Sequence, residues 1–142
     1  MNKIPSFQKN HNILSVGLHA QTDANGITTF DLRFKKPNAG NYISPKALHT
    51  IEHLMATVLR NSAAGENVVY FGPMGCRTGF YLLTVNLTYS DVRALLKESI
   101  PVAIALKEIP GAKKAECGNY LEHDLAEART ELAAYLEILN RF

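Results

Sequence analysis

The chain has 142 residues, 46% hydrophobic and 20% charged, which suits one packed core and is too apolar for a disordered polymer. A formal net charge of +2, with Lys and Arg scattered apart from the pairs Lys35-Lys36 and Lys113-Lys114, argues against a nucleic-acid surface. Met1 to Asn10 hold no apolar secretory core, and the longest apolar stretch, around Pro101 to Leu106, is far short of a membrane span. A cytoplasmic protein without membrane or nucleic-acid partners is therefore expected.

Ile13 to Ala20 is apolar enough for a strand, and Ile27 to Phe34 alternates cleanly, with Asp23-Ala24-Asn25-Gly26 as hairpin turn chemistry. Phe30, Leu32 and Phe34 share one face of the second strand, so Asp31 and Arg33 point the other way. From Pro45 the period becomes helical: Leu48, Ile51, Leu54, Met55, Val58 and Leu59 form an apolar stripe, with Ser44 as N-cap and Pro45 at the first position. Val68 to Phe71 and Gly79 to Tyr89 read as strands, the second with Tyr81, Leu83, Val85, Leu87 and Tyr89 on one face. Gly72 to Cys76 is the loop between them.

Ser90 is placed to cap a helix from Asp91 towards Glu108 that Pro101 must kink or end. Asp124 with Glu127 resembles a capping box for a last helix through Leu125, Ala128, Leu132, Leu136 and Leu139. With no repeat or linker to divide it, the sequence reads as one α+β domain over residues 1–142, an antiparallel sheet packed against helices.

His49-Thr50-Ile51-Glu52-His53 sets two imidazoles one helical turn apart on one face, close enough to share a metal ion, with Glu52 able to lean toward it. Cys117 is a suitable third ligand, since a thiolate with two imidazoles suits zinc or ferrous iron and leaves a coordination position open to substrate. Taken alone, Cys117 reads instead as a buried small hydrophobe. Cys76 lies in a Gly/Pro loop directly before Arg77, where a guanidinium and a nearby metal would favour a thiolate able to move protons. A structural turn cysteine is the other reading.

In combination, His49-Thr50-Ile51-Glu52-His53-Leu54, then Gly72 to Tyr81 around Cys76, then Cys117-Gly118 closely resemble the S-ribosylhomocysteine lyase family. Phe30 to Phe34 with Pro37-Asn38, and Ser6-Phe7 with His11, extend the resemblance from near the N-terminus to the last helix. It implies a LuxS-like fold in which His49, His53 and Cys117 bind Fe(II), replaceable by zinc or cobalt, one ion per subunit. Glu52 and Cys76 would be the acid/base pair. Arg33 would anchor the substrate carboxylate, and Ser6 and His11 would reach the ribose from the neighbouring subunit of a homodimer.

The implied reaction moves a carbonyl along the ribose of S-ribosylhomocysteine and releases homocysteine by β-elimination. It leaves 4,5-dihydroxy-2,3-pentanedione, the autoinducer-2 precursor used in quorum sensing. Tyr70 departs from the pattern, standing where many members carry an acidic residue that contacts the substrate amino group. Asn10 stands where an Asp commonly precedes the N-terminal His, and the stretch from His53 to Cys76 is short.

Two other readings compete. H-x-x-E-H is also the inverzincin metallopeptidase signature, although a peptidase does not need Cys76. A non-catalytic metal-binding domain would need a fourth ligand; His123 is available, but its place at the start of the last helix suggests a capping or packing role.

Overall fold

The computed structural model describes residues 1–22 and 25–141. In chain order the elements are α1 (Pro5–Gln8), β1 (Gly17–Thr22), β2 (Ile27–Arg33), α2 (Pro45–Arg60), a 3₁₀ turn (Gly65–Asn67), β3 (Val68–Pro73), β4 (Gly79–Val85), α3 (Tyr89–Ala105) and α4 (Leu125–Asn140). The strands form one antiparallel sheet in the order β1-β2-β4-β3.

Alternation in the central strands decides what the sheet buries. Phe30 lies opposite Leu82 and Leu32 opposite Phe80, and all four are buried under the helices. Ile51, Leu54, Met55 and Leu59 of α2, Leu96 and Ile100 of α3, and Leu132 and Leu139 of α4 complete this core. Burial of each such side chain contributes roughly 1.5–3 kcal/mol. The Phe34 ring stacks on Tyr135 with centroids 4.1 Å apart, and Tyr135 Oη donates to the Gly17 carbonyl at 3.0 Å, pinning α4 to the start of β1.

Several boundaries differ from the sequence reading. β1 begins at Gly17 instead of Ile13, because the chain turns over Asn10–Ile13, with Ile13 N donating to Asn10 O, and Ile13 stands 80% exposed. β4 alternates as expected, with Tyr81, Leu83 and Val85 sharing one face. Phe80, Leu82 and Thr84 point into the core, while Tyr81, Leu83 and Val85 lie half-buried on the outer face. The strand stops at Val85, and Asn86 turns the chain with φ 57.

Thr88, not Ser90, caps α3: its hydroxyl accepts from Asp91 N while the Asp91 carboxylate accepts from Thr88 N, a reciprocal box. Pro101 does not end α3, which continues to Ala105 with Ile100 and Ala103 fully buried on either side. Residues 23 and 24 of the expected hairpin turn lie outside the described residues. Among the described residues no helix is long and apolar enough to cross a membrane.

Candidate metal centre

α2 supplies the first half of the site. Ser44 Oγ accepts from Ala47 N at 3.2 Å and Pro45 opens the helix, so its start is fixed as the sequence predicts. The apolar stripe faces the core, which leaves His49, Glu52 and His53 along one partly exposed edge. The second half comes from the irregular segment between α3 and α4. Gly111 takes φ 67, a left-handed turn directly after Pro110, and Cys117 N bonds back to Lys113 O in a tight turn.

These segments bring His49, His53 and Cys117 together with His123; one donor atom from each lies within 4.8 Å of the others. Cys117 Sγ is 3.4 Å from His49 Nε2, 3.9 Å from His53 Nε2 and 4.0 Å from His123 Nε2. Nitrogen and sulfur donors around one zinc or iron ion stand roughly 3.3–3.6 Å apart, given bond lengths of about 2.0–2.3 Å.

The far sides of the rings decide which nitrogen is free to ligate. His49 Nδ1 faces the Glu122 carbonyl at 2.8 Å and His53 Nδ1 faces the Pro110 carbonyl at 2.8 Å. A carbonyl only accepts, so each Nδ1 carries the proton and each Nε2 presents a lone pair to the cluster. Thr50 does the same for His123. Its Oγ1 donates to the Lys46 carbonyl and accepts from Asp124 N, so His123 Nδ1, 2.9 Å away, donates to it and its Nε2 is left basic. Imidazole nitrogens converging on a cysteine sulfur are the donors that zinc or ferrous iron takes, and the residues fit such an ion.

The sequence offers His123 as a fourth ligand only for a non-catalytic site and otherwise gives it a capping or packing role. His123 does stand at the start of α4, directly before the N-cap Asp124, whose side chain accepts from Glu127 N. The half of the capping box expected from Glu127 is taken instead by Thr50, which occupies Asp124 N and so carries His123 to the cluster. The signal available in the sequence was the spacing of His123 six residues after Cys117, with Thr50 between the motif histidines. Burial, together with His49 and His53 alongside, pushes the His123 imidazole down to about 4, which keeps it neutral. Glu52 Oε1 lies 3.9 Å from His53 Nε2, on the rim of the group.

A second polar cluster lies on the outer face of the sheet. Arg33 is 1% exposed, and Asp31 accepts from its Nε at 3.1 Å and its Nη2 at 2.6 Å; Lys9 Nζ reaches the same carboxylate at 2.8 Å. Arg33 Nη1 donates to Thr78 Oγ1 at 2.8 Å, and Thr78 Oγ1 is 3.0 Å from the exposed Cys76 Sγ.

Tyr81 faces Asp31 across the strands, with the Lys9 ammonium over its ring. Its phenol is pushed up by burial and by the Asp31 charge, partly offset by Arg33 and by a hydrogen bond with Ser6. Ser6 thus sits beside this cluster within its own chain, and His11 Nδ1 contacts the Lys9 carbonyl at 3.0 Å. Tyr70 is half exposed on the same sheet face, its ring lying against Gly72, where a Cβ would collide with it. The loop with Cys76 is tied to the start of α2 by Ile43, whose N–H donates to Arg77 O and whose carbonyl accepts from Arg77 Nη1.

A helix and a loop that focus three imidazoles and a thiol on one point, with a carboxylate beside them, define a protein with a candidate site for a single metal ion in an α+β frame. The sequence model of the S-ribosylhomocysteinase (LuxS) family matches residues 4–141. The S-ribosylhomocysteine lyase of Borreliella afzelii is 46% identical over 147 aligned positions, covering 99% of this chain and 94% of that protein. Those of Phocaeicola vulgatus (45%, covering 96% and 89%) and Clostridium acetobutylicum (47%, covering 90% and 85%) are similarly close. The chain belongs to the S-ribosylhomocysteinase (LuxS) family.

Proposed function

We propose that this chain is an S-ribosylhomocysteine lyase, a carbon–sulfur lyase that converts its substrate to homocysteine and 4,5-dihydroxy-2,3-pentanedione. The observation that carries the reading is the His49, His53 and Cys117 donor set with Glu52 at its rim, in a chain matched to the family almost end to end. The relatives are lyases throughout, which leaves the peptidase reading without support.

His49, His53 and Cys117 are assigned as the protein ligands of Fe(II), with zinc or cobalt able to take the same donors. The bound ion supplies Lewis-acid polarisation of the sugar carbonyl and steadies the charge that develops when a neighbouring proton leaves. His123, the fourth donor of the cluster, is assigned a supporting role, which would leave a coordination position to substrate. Glu52 and Cys76 take and return protons as the carbonyl moves from C1 to C2 and then to C3. With the carbonyl at C3 the C4 proton is acidic, and its removal expels the homocysteine thiolate from C5.

Arg33 is assigned to the substrate carboxylate. Asp31 and Thr78 already engage three of its five N–H groups, so two remain for that contact.

Ser6 and His11 are assigned to the ribose bound in a neighbouring copy, which makes the active unit a homodimer. The half-buried outer face of Tyr81, Leu83 and Val85, and apolar side chains near the N-terminus such as Phe7, 70% exposed, support a second copy packing there. Residues 1–142 then act as one domain in a cytoplasmic enzyme that supplies the autoinducer-2 precursor for quorum sensing. The deciding experiment incubates anaerobic, iron-loaded protein with S-ribosylhomocysteine and titrates the thiol released. A fully metallated protein that releases none overturns the reading.

A further inference from the structure

Thr78 is buried, at 2% exposure, and a buried hydroxyl has one hydrogen to place. The bond from Arg33 Nη1 uses an oxygen lone pair and leaves that hydrogen uncommitted. Among the described residues the other partner of Thr78 Oγ1 is Cys76 Sγ, at 3.0 Å. A hydroxyl that accepts from a guanidinium is polarised to donate more strongly in turn. The sulfur is therefore its acceptor, and an acceptor sulfur held by a charge-backed donor is favoured in its anionic form, the thiol proton passing to solvent.

The surroundings single out Arg33 as the cation behind this contact. Arg77, the neighbour in sequence, spends its guanidinium on the Ile43 carbonyl at 3.2 Å and over the Tyr42 ring. Its backbone takes φ 61, an unusual left-handed conformation for a residue with a side chain, directly between Cys76 and Thr78. Asp31 holds Arg33 from behind and Lys9 balances Asp31, while Tyr81 closes the face opposite Asp31.

We infer that Thr78 is a positioning residue for Cys76: its oxygen held by Arg33, its hydroxyl donates to Cys76 Sγ and keeps that sulfur fixed and anionic. The inference rests on the reading of Cys76 as a proton-moving group. It assigns the threonine after Arg77 a task that an isosteric valine cannot perform, since valine has the shape and no donor.

The test measures alkylation of Cys76 in the metal-loaded protein by iodoacetamide, with peptide mapping, from about pH 6 to about pH 9. Thr78→Val should slow labelling near neutral pH by about tenfold or more, the loss expected for a hydrogen bond to a charged group, and move the profile to higher pH. Thr78→Ser should restore it to within about twofold, because the donor returns. Metal content should match the wild type in both. If Thr78→Val does not fold, Thr78→Ala removes the same donor without added bulk.

An unchanged profile in the Val or Ala variant, or a Ser variant as slow as Val, overturns the inference. Because the readout is thiol reactivity and not turnover, it is separable from the lyase assignment. A protein with the expected profiles that releases no homocysteine sinks the function and leaves the Thr78 contact standing.

Discussion

Thr50 Oγ1 and His123 Nδ1 stand 2.9 Å apart, so a residue lying between the two motif histidines on α2 holds a third imidazole from the start of α4. His49, His53 and Cys117 are the assigned ligands, and substitution of any one by Ala should empty the site. His123→Ala should keep the ion, with affinity lowered about 10–100-fold as for loss of a supporting contact. Metal titration against a competing chelator reads this. Loss of metal in His123→Ala as complete as in His49→Ala would show a closed four-ligand site and remove the position assigned to substrate.

Glu52 sits 3.9 Å from His53 Nε2 without a place in the donor set, so its carboxylate is available for proton transfer. Glu52→Gln keeps the shape and removes the base. Metal content should stay at the wild-type level while turnover falls by a factor of about 10²–10⁴. A variant working at the wild-type rate would return Glu52 to a structural role.

The pH dependence of the metal-free protein follows from His123, lowered from 6.5 to about 4 by burial and by its two histidine neighbours. Between those values the unfolded chain accepts a proton that the folded chain refuses, so folded stability falls as pH drops through that window. Thermal melts of the apoprotein should show Tm declining from about pH 6.5 to about pH 4, with a flatter decline in His123→Gln. A Tm that rises with acidification, or an identical slope in the variant, would contradict the assignment.

The two cysteines should separate chemically, since Cys76 is exposed on its loop whereas Cys117 is half-buried among imidazoles. In the metal-loaded protein, brief alkylation should label Cys76 first and stop turnover while the metal stays in place. Preferential labelling of Cys117 would reverse the roles given to them.

Assembly carries its own test. If Ser6 and His11 serve the neighbouring copy, activity per subunit should fall on dilution together with the dimer fraction measured by sedimentation, metal being retained. A monomer with full activity would refute the shared site.

The local chemistry of α2 was legible in the sequence because every part of it lies within one helical turn or two. Ser44, Pro45, the apolar stripe and the His49/His53 pair fall where spacing puts them. Cys117 joined the site only through its resemblance to a family, since a single cysteine in a loop has no periodicity to read. His123 was named as an available fourth ligand but given a capping or packing role, because its link to the cluster runs through Thr50, a contact between residues 73 apart. Which face of β4 lies outward was not legible for a similar reason. Alternation shows that Tyr81, Leu83 and Val85 share a side but not which side the helices cover, and Leu82 and Phe80 against β2 decide that. Thr88 took the capping role expected of Ser90 because a reciprocal partner, Asp91, stands at the right distance from Thr88.

Four proposed duties hang on about one turn of α2: His49 and His53 as ligands, Thr50 as tether and Glu52 as base. Each residue added to a helix rotates everything beyond it by about 100°. A single insertion between Thr50 and Ile51 would swing His53 away from His49 and turn Ile51, Leu54, Met55 and Leu59 off the core with it, whereas the same insertion after Arg60 falls in the turn leading to β3 and leaves the register of the histidines intact. Length variation among natural relatives should accordingly cluster beyond Arg60 and be absent from residues 45 to 55.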